Sequence, residues 1–547
     1  MDVFSTVCNS IHLIHVTFIF VRGVIDDYKN YDTETQQLKS KISHELVFFE
    51  QFQEFFVKGT LGAAFFEKQP QYVQEDCTRC LSTLDDTLAK YREQARKHGI
   101  DLLLHSATAG AQQPATQSVT SSDPSLGFRT RMKQKIIELN KQGIKWSLHD
   151  KKELEKLTKL VRACMKRLRE TMNLMAMIAQ VDLSMLHDKA LEETAKRRAA
   201  ANSSPGPEFQ PMVGSIDVAV FDSGKFGVAE YSEVSFAKQV IYEVRKYDTL
   251  QEKAAESNDT HLLCALLEPV RKLAWWLKAA RFQEGIDVSD DLGSVGPTLG
   301  LDFFGYLDQP DNLRTIFMYE LPFSDHSDGS DGSITTLHDL IDRQSSNEAQ
   351  VARLSLGNRF YIAHAVAVTL LNIHSSSWVH KNIRSSSFVV QKQKNLKFPL
   401  RQDRLIPFIT NWEVARPEGD PSLFAEEDSI AANFYRHPDR QGRPTQFFNY
   451  KHDFYSLGVV LIEIGLWSTV EKLFKQQMTL KLVARGHLRE WWRSKGRSQT
   501  IATMGEAYVE VVDFCIFDRP GLRTAKEERL LEFRNKVVNV LSQAIVL

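Results

Sequence analysis

The sequence predicts an all-α helical bundle in its N-terminal part and an α+β domain of two lobes in its C-terminal part. Three observations support this division. Apolar side chains recur at helical spacing in residues 1–200, a Pro-, Gly- and Ser-rich stretch follows at 201–212, and residues 213–547 contain strand-like apolar runs before long apolar helices. A chain of 547 residues is long enough for each part to have its own core. We therefore expect two domains joined by a linker at 201–212.

Two apolar stripes predict the helices of the bundle. One runs through residues 38–56 and the other through residues 154–168, and in both the apolar side chains recur at steps of three or four. Each stripe has to be buried against another helix, so the predicted domain at 1–200 is a bundle. Residues 105–125 are rich in Ser, Thr, Ala, Gln and Pro, which predicts a mobile loop inside it.

Composition and cysteine usage are those of an ordinary intracellular protein. The chain is 43% hydrophobic and 25% charged with a formal net charge of −1, so the total charge favours neither nucleic acid nor membrane. Its six cysteines follow no disulfide framework, which is typical of a reducing compartment, and we expect a cytoplasmic protein. The C-x-x-C at 77–80 has no second pair at zinc spacing, and no metal site is predicted.

The start of the chain allows three interpretations. Residues 3–21 contain no Asp, Glu, Lys or Arg and have the length that spans a bilayer. Asn9, His12 and His15 argue against a permanent transmembrane helix, and the absence of a basic n-region argues against a signal peptide. The segment is then a buried first helix of the bundle, or a helix that is buried at rest and inserts into a membrane when released. In the last case the lipid-contacting side chains would be Phe4, Ile11, Ile14, Phe18 and Phe20.

A strongly basic stretch favours a membrane partner. Residues 129–169 carry 14 Lys and Arg against 4 Asp and Glu, an excess of 10 positive charges (14 − 4), and Lys151 and Lys152 lie at its centre. Each basic residue near an anionic bilayer contributes about 1 kcal/mol. We expect anionic lipid as a partner, with recruitment of the protein to a membrane. The alternative is a solvated basic helix. No groove-reading motif accompanies the charge, so nucleic acid is not expected.

Three motifs in the C-terminal part are similar to those of protein kinases. H-K-N-I-R-S-S-S at 380–387 resembles the catalytic loop H-R-D-L-x-x-x-N, and N-W-E at 411–413 resembles D-F-G. The run at 451–464 resembles the buried large-lobe helix whose aspartate holds the catalytic-loop backbone. The resemblance implies a two-lobed protein-kinase-like domain at 213–547. It gives structural roles to His380, Asp453 and Asp439, the last in an H-P-D that stands in place of A-P-E.

The same resemblance implies that phosphoryl transfer is lost. A kinase needs a carboxylate beside the acceptor hydroxyl and oxygen ligands for Mg²⁺. Asn382 stands at the base position, Ser387 at the asparagine and Asn411 at the metal-binding aspartate. An amide cannot act as a general base, and two neutral substitutions argue against Mg²⁺–ATP. We expect a pseudokinase with no catalytic residue and no required cofactor; weak, metal-free ATP binding stays an open alternative.

The positions that would contact a nucleotide are also degenerate. D-S-G-K-F-G at 222–227 resembles a glycine-rich loop, and the strand at 240–245 has no lysine at the position of V-A-I-K. Glu243 or Arg245 stands there, and the choice stays open because both side chains share one face of a strand. Met318 lies near the gatekeeper position. The implied nucleotide-contacting residues are Gly224, Gly227, Glu243, Arg245, Met318 and Glu320.

Taken together, these features resemble the fungal HeLo-domain proteins, the prion-inhibition and propagation family. The features are the uncharged start, the helix at 38–56, K-W-S-L-H-D-K-K at 145–152, Y-R-H-P-D-R-Q-G at 435–442 and the degenerate kinase-like part. The layout is also similar to that of animal mixed-lineage kinase domain-like proteins.

This resemblance implies a non-enzymatic effector of programmed cell death or heterokaryon incompatibility. A membrane-targeting bundle would be controlled by the pseudokinase, would form a homo-oligomer on activation and would meet a protein partner through the pseudokinase. Two alternatives stay open: a signalling scaffold with a partner-docking pseudokinase, and an atypical Ser/Thr protein kinase.

Overall fold

The chain divides into two compact units, Met1–Ala195 and Lys196–Leu547. The computed structural model describes residues 3–26, 33–58, 60–97, 151–179, 189–218, 226–234, 236–280, 300–321, 334–346, 354–393, 404–419, 430–441, 447–480, 484–517 and 526–545. The predicted loop at 105–125 lies outside these residues. The predicted domain limits at 200 and 213 stay predictions.

The N-terminal unit is helical throughout the part that the structure describes. Its helices are α1 (Val3–Asp26), α2 (Thr33–Gln53), α3 (Thr60–Glu67), α4 (Gln71–Lys97) and α5 (Lys151–Ala179), with a π-helical turn at Glu54–Lys58. Helix α6 (Lys189–Asn202) crosses the division between the units. The helical N-terminal region that the sequence predicts is thus confirmed.

Phenylalanine rings dominate the core of this unit, where α1 packs against α2 and α4. Phe18 of α1 lies 5.6 Å from Phe49 of α2, and the Phe52 and Phe56 rings lie 4.6 Å apart. Both predicted stripes supply buried side chains, but Leu160 of the second is 52% exposed. The apolar faces therefore do bury one another, as the helical spacing indicates.

Helix α1 is a buried helix of the bundle. Ile11, Ile14 and Phe18 are buried, and Phe4 is half-buried with its ring 5.8 Å from that of Phe66. The side chain of Phe20 lies outside the described residues. None of the helices in the described ranges is long and apolar enough to cross a membrane.

The C-terminal unit contains antiparallel sheets and helices. The five-stranded sheet has the order β1-β2-β3-β5-β4, β6 and β9 flank β8, and β7 pairs with β10. The strands are β1 (Ser215–Ile216), β2 (Phe226–Glu233), β3 (Phe236–Lys246), β4 (Phe303–Gln309), β5 (Arg314–Glu320), β6 (Thr335–Thr336), β7 (Trp378–Val379), β8 (Phe388–Gln393), β9 (Arg404–Ile409) and β10 (Arg416–Pro417).

Helices form most of the rest of this unit. Those in the described ranges are α7 (Thr249–Glu256), α8 (Thr260–Ala280), α9 (Leu337–Ser346), α10 (Leu356–Ser375), α11 (Ile430–Tyr435), α12 (Tyr450–Leu466), α13 (Val470–Leu473), α14 (Lys475–Leu480), α15 (His487–Trp491), α16 (Arg497–Met504), α17 (Glu506–Ile516), α18 (Lys526–Phe533) and α19 (Asn539–Ile545). Helix α12 is buried along nearly its whole length and packs against α10 and α17. The predicted mixture of sheet and helices is confirmed for this region.

Candidate functional site

The loop at 380–387 is held by one buried carboxylate. Asp453, on the first turn of α12, accepts hydrogen bonds from the backbone N–H groups of His380 and Lys381, both at 2.9 Å. Burial raises the pKa of Asp453 to about 7, and the two N–H donors oppose that shift. Lys381 has a positive φ of 67°, which residues other than glycine rarely adopt. The two hydrogen bonds therefore fix the backbone in a conformation that it would not adopt by itself.

A buried aromatic stack connects this loop to helix α8. The His380 ring lies 4.6 Å from Trp412, which lies 5.5 Å from Trp276 of α8. Trp276 in turn stacks on Trp378 of β7 at 4.4 Å with an interplanar angle of 17°. All four side chains are buried. Such contacts contribute about 1 kcal/mol each beyond the area they bury, so α8, β7 and the loop are one packed group.

His380 is a neutral packing residue. Burial lowers its pKa to about 3. Its Nε2 lies 3.0 Å from the Thr410 carbonyl oxygen and its Nδ1 lies 3.3 Å from the N–H of Asn382. Both contacts are satisfied by one neutral tautomer, in which Nε2–H donates and Nδ1 accepts.

The structure brings Asn382, Ser387 and Asn411 together. The Asn411 side-chain amide donates to Ser387 Oγ and to the Ser386 backbone carbonyl, both at 3.3 Å, and Ser387 Oγ donates to the Asn382 backbone carbonyl at 2.5 Å. Asn411 has a φ of 63°, a conformation that asparagine tolerates better than most residues. The three side chains supply amides and a hydroxyl, and no carboxylate lies among them.

Glu243 of β3 is buried and contacts the Asn411 position directly. Its Oε2 accepts hydrogen bonds from the Asn411 N–H at 3.1 Å and from the Tyr319 hydroxyl at 3.2 Å. Burial, with the nearby charge of Glu413 adding to it, raises the pKa of Glu243 to about 8. At pH 7 this carboxyl is therefore mostly protonated, and it offers no positive charge to a phosphate.

The pleat places Met318 and Glu320 on the opposite face from Glu243. Met318 pairs with Tyr242 across the strands and belongs to the apolar cluster of that face. Glu320 is joined to Lys238 at 2.9 Å on the same face. The residue that reaches Glu243 is Tyr319. The structure therefore does not bring Met318 or Glu320 together with Glu243.

The remaining predicted residues have separate positions. Gly227 lies opposite Tyr242, and a side chain at Gly227 would overlap the Tyr242 ring. Gly224 lies outside the described residues. Arg245 shares the face of Glu243 and is half-buried; burial lowers its pKa, and the charges of Glu413, Asp248 and Glu243 oppose that shift.

Asp439 lies in a short turn, Pro438–Arg440, that approaches His452, the residue before Asp453. Its N–H donates to His437 Nδ1 at 3.2 Å, and its carboxylate lies 3.7 Å from Arg485. The ligand atoms of His437, Asp439 and His452 are within 4.8 Å of one another. His437 Nε2, however, lies 2.7 Å from an Arg489 nitrogen, whose charge would repel a cation, and we assign no metal to this cluster.

In the N-terminal unit, part of the basic charge of α5 is paired internally. Arg167 lies 3.2 Å from the fully buried Asp76, and Arg169 lies 2.8 Å from the buried Glu45. The side chains of Lys151 and Lys152 lie outside the described residues. The positive excess counted in the sequence is therefore larger than the charge that α5 presents to a partner.

Sequence reasoning missed Tyr319, Glu413 and Trp276. The alternation of side chains along β5 would have placed Tyr319 on the same face as Glu243. That placement depends on the register of β5 against β3, which the sequence did not indicate. Glu413 follows the N-W pair and could have been noted as a nearby acid. Trp276 lies on a helix for which no motif was recognised.

Comparison with known proteins shows a distant similarity. No protein-family model matches the chain. Mixed lineage kinase domain-like protein from Mus musculus is 23% identical over 210 residues, a match that covers 38% of this chain and 39% of that protein. This similarity fits the division into a helical N-terminal region and a C-terminal region of sheet and helices. It gives no support to the fungal HeLo assignment.

Proposed function

We propose that the C-terminal unit is a protein-kinase-like domain without phosphotransfer activity, and that it controls a membrane-targeting helical bundle in the N-terminal unit. One observation carries the first part of this proposal. Asp453 anchors the loop at His380 and Lys381, whereas Ser387 accepts from the Asn411 amide and donates to the Asn382 backbone carbonyl, with no carboxylate at these three positions. The support of a catalytic loop is present without the groups that would use it.

The site offers neither a base nor a metal cage. A general base has to accept a proton, and the amides of Asn382 and Asn411 do not do so near neutral pH. Mg²⁺ prefers carboxylate and phosphate oxygens. Asn411 offers only a neutral amide oxygen, and its amide nitrogen donates to Ser387 Oγ. This argues against the atypical kinase, which would have to show phosphotransfer with Mg²⁺ or Mn²⁺.

Binding of a nucleotide is disfavoured as well. A kinase lysine pairs with the α- and β-phosphates, and here Glu243 fills that place with a buried, mostly neutral carboxyl. Tyr319 is 1% exposed and its hydroxyl donates to Glu243, so both side chains of this pair are buried. We propose that the domain works without a nucleotide cofactor.

The membrane role of the N-terminal unit is supported by sequence and burial together. Helix α1 has no charged residue between 3 and 21, and it buries Val7, Ile11, Ile14 and Phe18. Each such side chain gains about 1.5–3 kcal/mol from burial, and a bilayer supplies an equivalent environment if the helix leaves the bundle. Resemblance to HeLo-domain proteins adds the expectation of a cell-death effector of the heterokaryon-incompatibility type. We propose a cytoplasmic protein that is recruited to anionic lipid and oligomerises there.

Vesicle sedimentation tests this proposal. Residues 1–200 should sediment with vesicles that contain anionic lipid, and the bound fraction should fall as salt rises because basic residues contribute through the surface potential. Residues 27–200, which lack α1, should bind more weakly. Indifference of both fragments to vesicles, together with recovery of a stable protein complex, would favour the signalling scaffold instead.

A further inference from the structure

Residues 203–212, which we call the strap, are bound along helix α8 and strand β4. The strap follows directly on α6 and belongs to the C-terminal unit. At its start the Trp275 indole N–H donates to Ser203 Oγ at 3.3 Å, and at its end the Met212 N–H donates to the Tyr306 carbonyl at 2.8 Å. The stretch that its Pro, Gly and Ser content marks as a linker is therefore attached at both ends.

Arg271 of α8 holds the middle of the strap. Its Nε donates to the Phe209 carbonyl at 2.9 Å, and its Nη2 donates to the Pro205 carbonyl at 3.2 Å and to the Gly206 carbonyl. The planar guanidinium can serve several carbonyl oxygens at once, which a lysine cannot do. Hydrogen bonds from a charged donor are also stronger than those between neutral groups. Arg271 thus fixes three strap carbonyls to one side chain of α8.

Apolar contacts run beside these hydrogen bonds. The Phe209 ring lies 5.3 Å from Trp275 and 6.0 Å from Tyr306. A side chain at Gly305 of β4 would overlap the Met212 sulfur, so glycine lets the strap approach the strand. The strap therefore packs against the helix and the strand over most of its length.

Helix α8 connects the strap to the candidate site. Arg271 and Trp275 are one turn apart and face the strap, while Trp276 is rotated by about 100° and buried. Trp276 stacks on Trp378 and contacts Trp412, next to the asparagine at 411. A displacement of the strap would shift α8 against this stack, because the two faces belong to one rigid helix.

We propose that the strap couples the chain leaving α6 to the loop at 380–387, with Arg271 as the positioning residue and α8 as the connecting element. The proposal rests on the proposed function, since it names the element through which the C-terminal unit senses the state of the N-terminal one. Movement of α6 changes the packing of Trp276. In the other direction, a change at the loop at 380–387 alters the contacts of Arg271 and Trp275 with the strap.

Hydrogen exchange of the full-length chain tests the coupling. In Arg271→Ala, amides of the strap should exchange roughly tenfold faster or more, since several charge-assisted hydrogen bonds are lost. Amides of β7 and of residues 411–415 should exchange faster too. The matched control is Lys272→Ala, which also removes a positive charge from α8, one position further along. Within the described residues, Lys272 donates no hydrogen bond to the strap. This control should leave both regions at the wild-type rate.

A second variant keeps the test decisive if Arg271→Ala does not fold. Phe209→Ala changes only the strap, and it should also accelerate exchange at β7 and 411–415. Faster exchange confined to the strap, or no change in either region, would overturn the coupling.

Dye release from anionic vesicles by full-length Arg271→Ala separates this proposal from the proposed function. Faster exchange in both regions together with increased dye release supports both the strap proposal and the proposed function. Coupled exchange without release supports the strap and counts against membrane control.

Discussion

The two halves of one loop differ in what they have kept. At 380–381, two backbone N–H groups are bonded to the buried carboxylate of Asp453, and the His380 ring is packed in an aromatic stack. At 382–387, Ser387 Oγ donates to the backbone carbonyl of Asn382, and the asparagine and serine that stand there supply no carboxylate. The backbone anchor and the side chains at 382–387 thus depend on different residues, so one can be kept when the other changes. The comparison predicts where substitution is costly and where it is tolerated.

The largest effect is expected at the anchor. Asp453→Ala leaves two buried N–H groups without their acceptor, and should lower the free energy of unfolding by about 3–5 kcal/mol. Asp439→Ala, at a carboxylate that is 34% exposed, should cost less than about 1 kcal/mol. Urea denaturation of the full-length variants measures both. Equal costs would mean that Asp453 does not have the anchoring role.

The next effect is a dependence of stability on pH at Glu243. Its pKa is raised from an ordinary 4.5 to about 8 in the folded state, so the unfolded state loses its proton first as pH rises. Stability from this group is complete below pH 4.5 and is lost as pH rises through about 8. Glu243→Gln should remove this loss, which amounts to about 4 kcal/mol between pH 5 and pH 9.

Denaturation midpoints at pH 5, 7 and 9 measure this difference. The exposed Glu230→Gln on β2 is the control and should follow the wild-type curve. A Glu243→Gln variant that loses as much stability between pH 5 and 9 as the wild type would contradict the buried neutral carboxyl.

A smaller effect is expected from restoring the lost groups. The triple variant Asn382→Asp, Ser387→Asn and Asn411→Asp should still show no thermal shift with Mg²⁺–ATP, because Glu243 and Tyr319 occupy the neighbouring face. Adding Glu243→Lys and Tyr319→Met should allow binding. Ligand at ten times its Kd stabilises by about 1.4 kcal/mol, a shift of a few degrees. A thermal shift with Mg²⁺–ATP already in the triple variant would show that Glu243 and Tyr319 do not prevent nucleotide binding.

The smallest effect is expected at an ion pair on the face of the sheet opposite Glu243. Lys238 and Glu320 form a partly exposed ion pair at 2.9 Å. Glu320→Gln should change the free energy of unfolding by about 0.5 kcal/mol or less. Added to the variant with five substitutions, it should leave the thermal shift with Mg²⁺–ATP unchanged, and a smaller shift would place Glu320 at the site.

Much of the anchor could be predicted from the sequence, because the positions of His380 and Asp453 follow from short local motifs. The face of β5 could not, since a one-residue change of register exchanges Met318 for Tyr319 at the Glu243 position. The choice between Glu243 and Arg245 was open for a different reason, because residues two apart on a strand lie on the same face. In the structure Glu243 is the one that contacts the Asn411 backbone.

The strap shows a different limit. Pro, Gly and Ser at 201–212 predict irregular backbone, and irregular backbone is what the structure has after α6 ends at Asn202. Composition does not reveal whether such a segment is bound. That depends on Arg271 and Trp275, which lie more than 50 residues further along the chain.

Dye release from anionic vesicles tests the central claim most directly, with residues 1–200 compared to the full-length chain at equal concentration. The account predicts that the fragment releases dye and the full-length chain does not, since the C-terminal unit restrains the bundle. Release by the full-length chain to the same extent, or by neither protein, would contradict control by the C-terminal unit.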